Sequence, residues 1–273
     1  TAKLYIGGKQ ARPDAGHSYS VYGAKGKSIG QAGLGSRKDI RNAVEAAAKA
    51  SGWSSATAHN RAQVLYYIAE HLSSRADEFT ARLRQMGQSA REAKAEVEAS
   101  LTRIFWYAAQ ADKYDGRVHQ TKSRHVTLAM NEPWGVMGVV CPDEMPLLGF
   151  ISLVMPAISM GNRVVAVPSP RAPLAATDLY QVFDTSDLPG GVVNIVTGER
   201  DELMKTLAEH DEVAALWYFG PGVKAVETAS AGNLKATWAS AKPCDWLSRV
   251  QGQGAEYLRR AVQVKNIWVP YGE

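Results

Sequence analysis

The chain has 273 residues, 45% hydrophobic and 21% charged, with a formal net charge of +4, which is the balance of a globular protein long enough for one large domain or two modest ones. No run approaches the roughly 18 apolar residues of a membrane span, and the basic residues are interspersed with acidic ones, which argues against a membrane or nucleic-acid function. The two cysteines, Cys141 and Cys244, are too few for a disulfide framework, so a reducing, cytoplasmic setting is expected.

Residues 3–34 carry short strand-like pieces, KLYI, SYSVYG and SIGQAG, cut by Gly and Pro. They predict a small antiparallel layer apart from the main core. Ser36 and Thr57 are N-cap candidates for two helices, one with Ile40, Val44 and Ala47 on its apolar face, the other with Val64, Leu65, Ile68 and Leu72. Phe79, Leu83 and Met86 continue the period. In the next helix Ala93, Val97, Leu101, Ile104, Phe105 and Ala108 form the stripe. The charges Arg91, Glu92, Lys94, Glu96, Glu98 and Arg103 are expected mostly on the solvated side. Phe105, Trp106 and Tyr107 read as core aromatics. Residues 117–132 alternate polar and apolar in their second half, as a half-exposed strand or projecting arm does. His119 and His125 stand there without further ligands for a tetrahedral set, so no metal is expected.

Residues 131–169, NEPWGVMGVVCPDEMPLLGFISLVMPAISMGNRVVAVPS, form the organising stretch. Residues 136–140 read as a buried strand, Pro146 opens a helix with Leu147, Ile151, Val154 and Ile158 on one face, Gly161-Asn162 stop it, and residues 163–167 are a second strand. The alternation continues: a helix from Ala172-Pro173, strands at 192–196, 213–219 and 235–239, and helices at 201–209 and 223–231. Strands separated by helices imply an α/β fold with a parallel sheet covered on both faces. Any ligand site then lies at the carboxyl ends of the strands. After an aperiodic segment, a short helix and a strand at 262–269 close the chain.

The ordered motifs YIGGK, Gly52-Trp53, NEPWGVMGVV, the turn from Pro142 to Pro146, MPAISMGNRVV, LPGGVVNIV, a strand ending in Phe219-Gly220 and the closing VKNIWVPYG resemble the aldehyde dehydrogenase superfamily. The likeness runs from Leu4 to Lys235 and resumes near Ala255. It implies a Rossmann-like NAD(P)-binding domain, an N-terminal helical segment and a β-flap for oligomerisation.

The same alignment of motifs exposes departures. Aldehyde oxidation needs a thiolate nucleophile, an oxyanion donor, a base and a grip on the dinucleotide. Where the family has Pro-Trp-Asn-Phe-Pro, this chain has Asp143, Glu144 and Met145 between its prolines, putting an acceptor where a donor is required. The family's Lys-Pro-Ser-Glu becomes Val167, Pro168, Ser169 and Pro170, removing both polar anchors for the ribose. Its Phe-Thr-Gly-Ser becomes Phe219, Gly220 and Pro221 after Tyr218, with a bulky ring and a proline that has no N–H for phosphate. Ala225 stands for a further glycine and Ser240 for the catalytic glutamate. The large catalytic domain with its Gly-Gln-x-Cys segment is replaced by a short bridge. Cys244 lies between Pro243 and Asp245, a setting that raises a thiol pKa.

The expectation is therefore a degenerate site at Val167, Pro170, Phe219, Gly220, Pro221 and Ser240, with no catalytic or cofactor-binding residue in this chain. NAD would enter only if the dinucleotide site proves functional, or in a fused catalytic domain. The chain resembles the truncated, non-catalytic C-terminal copy found in one aldehyde dehydrogenase subfamily, which accounts for Thr1 at its start as a piece of a longer polypeptide. Residues 1–116 are expected to be N-terminal strands and helices, 117–135 the flap, 136–241 the Rossmann-like domain, and 242–273 a bridge and oligomerisation strand. Val126, Leu128, Val264, Ile267, Trp268 and Val269 are the interface candidates, for a complete dehydrogenase domain or a homo-oligomer. The alternative is a diverged nucleotide-binding protein or enzyme that uses Asp143 and Glu144 as acid–base groups.

Overall fold

The computed structural model describes residues 1–122 and 124–271. Ser123 of the expected flap and Gly272 and Glu273 of the expected tail lie outside the described residues. The elements are β1 (Leu4–Ile6), β2 (Lys9–Ala11), β3 (Ser18–Tyr22) and β4 (Ser28–Gly33), then α1 (Arg37–Lys49), α2 (Gly52–Ser55), α3 (Ala58–Ser74), α4 (Ala76–Gln85) and α5 (Ala90–Gln110). Next come β5 (Arg117–His119), β6 (His125–Pro133), β7 (Val136–Val140), α6 (Pro146–Ser159), β8 (Arg163–Val167), α7 (Leu174–Asp178), α8 (Tyr180–Asp184) and β9 (Val193–Ile195). The chain continues through α9 (Arg200–Glu209), β10 (Val213–Phe219), α10 (Val223–Ser230), β11 (Ala236–Ser240), α11 (Ala255–Arg260) and β12 (Val262–Pro270).

The α/β alternation builds a seven-stranded sheet in the order β11-β10-β7-β8-β9-β1-β2. β7 through β11 pair in parallel and β1 adds antiparallel to β9. The parallel strands are apolar because both faces are covered: α3, α5 and α6 lie on one side, and α1, α9 and α10 on the other. Every residue of α6 is buried, as expected for a helix that is apolar all round and sandwiched between sheet and helices. Ser36 and Thr57 cap α1 and α3 as their sequence positions imply; Ser36 and Asp39 form a capping box, and Thr57 accepts from the Asn60 N–H.

Two readings of the sequence are corrected. KLYI does not stand apart from the main core: Leu4 and Tyr5 are buried as β1 extends the large sheet, while β3 and β4 alone form a separate hairpin sheet. The cause lies in two glycine pairs. A Cβ on Gly8 would stand 2.7 Å from the Gly190 Cα, and Gly191, at φ +93°, would place one 2.5 Å from the Ala46 carbonyl oxygen. Thus YIGG and LPGG are two halves of one close backbone approach.

The charged run of α5 is also not wholly solvated, since Glu96 and Arg103 are buried. Glu96 Oε1 accepts the backbone N–H groups of Leu147 (2.8 Å) and Leu148 (3.0 Å), and the Gln88 side-chain amide donates to Oε2. It caps α6 from another helix, a role that Met145, at φ +49°, does not fill. Arg103 donates to Ser152 on the same helix and to Gln253.

A third sheet, β12-β6-β5, projects from this body. No helix among the described residues is long and apolar enough to cross a membrane.

Candidate functional site

The strand order reverses at β7, which lies between β8 and β10. An open α/β sheet holds its ligands outside the carboxyl ends of the strands at that point. A cavity of about 250 Å³ is found there, lined among others by Glu144, Phe219, Gly220, Pro221, Ser240 and Cys244. Most of the suspected positions therefore converge. Val167 and Pro170 do not line it: Val167 is wholly buried in the core beneath the sheet, and Pro170 is half-buried in the loop beyond.

Several polar groups around this crevice are engaged with one another, while the buried Arg200 Nε has no partner among the described residues. Arg200, at the start of α9, donates to both Asp143 carboxylate oxygens (2.6 and 3.1 Å) and to the Cys141 carbonyl (3.0 Å). Ser169 Oγ donates to Asp143 Oδ1 at 2.6 Å. Burial pushes the Asp143 carboxyl up, but the Ser169 hydroxyl and the Arg200 guanidinium together outweigh it and hold the group below its ordinary value. Asp143 is thus ion-paired inward, whereas Glu144 is exposed at the cavity rim.

After β10, the Gly222 N–H donates to the Tyr218 hydroxyl at 3.0 Å. A Cβ on Gly222 would come within 2.8 Å of that oxygen, and one on Gly220 within 3.0 Å. Both glycines therefore make room for a buried tyrosine. Phe219 turns away from the loop, its ring 5.1 Å from Trp238 and 5.3 Å from Trp246. Trp238 also meets Trp217 (5.1 Å) and Tyr257 (4.9 Å), and the Arg260 guanidinium sits 4.8 Å from its ring centre. Trp246 is the buried residue by which the aperiodic bridge folds over the β10–β11 face. Its only signal in the sequence is a tryptophan in a segment without apolar periodicity. Arg200 and Tyr218 carry no signal of their own, because each acts through a partner distant in the chain.

Of the cysteines, Cys141 is fully buried, which pushes its thiol up to about 12. Cys244 is half-buried at the cavity, and desolvation raises it as well. A separate shallow groove of about 980 Å³ runs between α9 and α10, lined by Met204, Lys205, Ala225 and Thr228 among others.

The profile of the aldehyde dehydrogenase family matches residues 12–239. This chain belongs to the aldehyde dehydrogenase family. It is 30% identical to the NADP/NAD-dependent aldehyde dehydrogenase PuuC of Escherichia coli (strain K12), over 80% of this chain and 44% of that one. With the malonate-semialdehyde dehydrogenase of Bacillus pumilus (strain SAFR-032) it shares 32% identity over 80% of this chain and 46% of the relative. The crystal structure of the aldehyde dehydrogenase KauB from Pseudomonas aeruginosa superposes with a TM-score of 0.85 at 25% identity, covering 88% of this chain and 50% of that one. The chain therefore spans about half the length of these relatives.

In this aldehyde dehydrogenase family member the interface candidates divide between two faces of the third sheet. Residues directly opposite in antiparallel strands share a face. The pairs Leu128↔Ile267, Val126↔Val269 and Val118↔Leu128 put Val118, Val126, Leu128, Ile267 and Val269 together. Met130, opposite Lys265, joins them, and the Lys265–Glu132 ion pair (3.1 Å) closes one end. Val264 and Trp268 lie on the other face, 58% and 70% exposed.

Proposed function

We propose that this chain is a non-catalytic aldehyde dehydrogenase-like unit of a larger NAD-dependent aldehyde dehydrogenase, serving assembly and docking on a complete catalytic domain. The observation that carries this reading is that the groups at the places where a dinucleotide would be held are buried or already paired within the chain. A dinucleotide held as the resemblance implies needs a polar anchor after β8 and free N–H groups at the start of α10. The groups present do not fit it: Val167 is in the core, Ser169 and Arg200 are bound to Asp143, and the Gly222 N–H is taken by Tyr218. Asp143, locked to Arg200, is also a poor acid–base partner for Glu144. The unit would act through residues 117–135 and 242–273, with 136–241 as a degenerate Rossmann-like body and 1–116 packed on it.

The apolar face of the third sheet supports the docking part. Six apolar side chains on one face of a projecting sheet form the kind of patch that marks an interaction site. Calorimetric titration with NAD+ and NADP+ tests the first part, with no saturable heat expected; micromolar binding of either overturns it. For the second, the chain should co-elute with a complete aldehyde dehydrogenase domain and lose this on Leu128→Asp. Co-elution unchanged by that substitution removes the face from the reading.

A further inference from the structure

We propose that Arg103 and Tyr107 of α5, closed over by the bridge, form an internal site for a small monovalent anion of halide size. The inference goes beyond the proposed function and does not depend on it. Arg103 is 2% exposed and Tyr107 is wholly buried. One helical turn apart, they share a face of α5, and the bridge packs against both. A Cβ on Gly252 would stand 2.7 Å from Arg103 Nη1, Gln253 Oε1 accepts from Arg103 Nε at 3.4 Å, and the Gly254 backbone N–H approaches the Tyr107 phenol oxygen.

Donors outnumber acceptors in this cluster. A guanidinium carries five N–H groups and accepts nothing. Among the described residues Arg103 gives Nη1 to Ser152 Oγ and Nε to Gln253, while Nη2 has no hydrogen-bond partner. The one carboxylate that acts on its charge, Asp245, is exposed and accepts the Leu247 N–H instead. The Tyr107 hydroxyl is buried and its proton has no acceptor. Neighbouring groups do not help: Tyr257 donates to the Gln251 carbonyl (2.8 Å), Ser152 donates to the Leu148 carbonyl (2.5 Å), and desolvation keeps the Cys244 thiol protonated.

Burial lowers the Arg103 pKa, yet an arginine keeps its proton, so the cation stays and is left without a counter-charge. Tyr107 is the group that acts most strongly on that charge. An unpaired guanidinium edge beside an unpaired phenol O–H calls for an acceptor that carries negative charge and donates nothing. Water would leave the charge uncompensated, and its own protons would need acceptors that the cluster lacks. A carboxylate or phosphate would bring a larger body against a nearly sealed arginine. A halide asks only for donors. Room lies at the bridge, where Gly254, at φ +131°, has nothing within 4 Å of the place its Cβ would take.

The test is thermal unfolding of the full chain in increasing chloride at constant ionic strength, with gluconate as the replacing anion, for wild type, Arg103→Met and Tyr107→Phe. Chloride should raise the melting temperature saturably, as a ligand of the folded state does. Arg103→Met should abolish the rise. Tyr107→Phe should increase the half-saturating concentration about tenfold, the share of one hydrogen bond to a charged acceptor. A melting temperature that follows ionic strength alone overturns the proposal. So does a Tyr107→Phe variant whose chloride dependence matches wild type, since the phenol is then an orphan donor and not a ligand. In crystals grown with bromide, an anomalous peak should lie between the Arg103 guanidinium and the Tyr107 hydroxyl. An ordered water in that place, or a bromide peak with no chloride effect in solution, also overturns it. If Arg103→Met fails to fold, Tyr107→Phe and the bromide peak decide.

Discussion

The cap that Glu96 places on α6 yields a quantitative prediction. Replacing it by alanine strands two buried N–H groups, those of Leu147 and Leu148, and the Gln88 amide that now donates to it. Each buried unpaired group costs about 1–3 kcal/mol, while removing a desolvated carboxylate returns part of that. The net loss for Glu96→Ala is about 2–4 kcal/mol, which at this chain length lowers the melting temperature by roughly 3–7 °C. Glu96→Gln should behave differently. Its carbonyl still accepts both backbone N–H groups, and its new NH₂ can donate to Gln88 Oε1, a buried acceptor that has no partner in the wild type. A rotation of the Gln88 amide suffices, so the cost should fall below about 1 kcal/mol.

The pH dependence follows from the same site. Desolvation raises the Glu96 pKa, with its hydrogen bonds to Gln88, Leu148 and Leu147 only partly opposing the shift. A carboxyl whose folded value exceeds its unfolded value of about 4.3 binds more protons when folded. Its contribution is greatest at low pH and declines as pH rises from the unfolded toward the folded value. Urea unfolding of wild type and Glu96→Gln at successive pH values should show their difference moving in favour of the glutamine across that window. An alanine variant within about 1 kcal/mol of wild type, or a glutamine variant as unstable as alanine, refutes the capping argument.

Arg200→Met should cost about 1–2 kcal/mol, because it leaves Asp143 partly buried without its cation. Asp143 is held below its ordinary value, so that stabilisation is present above the unfolded value of about 3.9 and is lost as pH falls through the lowered folded value, a trend that acid titration of the variant should lack. Lys235 Nζ donates to the His210 (2.8 Å) and Val213 carbonyls, and desolvation lowers its pKa to about 8. Wild-type stability, measured by denaturant unfolding, should therefore gain a component as pH rises from about 8 toward the unfolded value, and Lys235→Met should lack it. Gly191→Ala, forced against the Ala46 carbonyl at positive φ, should destabilise by more than about 2 kcal/mol in the same assay. Cys141 should resist a thiol reagent until the chain unfolds, with Cys244 reacting more slowly than a free thiol at neutral pH.

Much of the α/β body is legible in the sequence because its strands are buried on both faces and read as apolar runs between capped helices. The ends of β10 and α6, and the caps Ser36 and Thr57, follow from local chemistry alone. The misread positions share a different physics. Glu96 and Arg103 look like surface charges until α6, some fifty residues later, supplies two N–H groups and a hydroxyl. Tyr5 looks peripheral until Gly190 and Gly191 admit its strand. At the crevice the changed residue types are visible in the sequence, but the groups that neutralise them, Arg200 and the Tyr218 hydroxyl, are not. The interface candidates are apolar in the sequence; only the ladder register sorts them onto two faces.

That internal satisfaction bears on whether the crevice can be reopened. A lone Glu144→Asn would supply an amide at the turn, yet Arg200, Ser169 and Asp143 would remain joined, and the Gly222 N–H would still be bonded to Tyr218. Tyr218→Phe would free that N–H but leave a ring against Gly220 and Gly222, a proline at 221 and no anchor at 167. Each single change removes one obstacle to a dinucleotide and leaves the others, so neither variant is expected to bind NAD+ in a calorimetric titration. Combined substitution at positions 144, 167, 218 and 221 touches the turn, the ribose end and the phosphate end together, although Pro170 and the Arg200–Asp143–Ser169 cluster would remain. If Glu144→Asn alone conferred saturable binding, one charge would be what bars the dinucleotide from the crevice, and the proposed role of its hydrogen-bonded closure would be refuted.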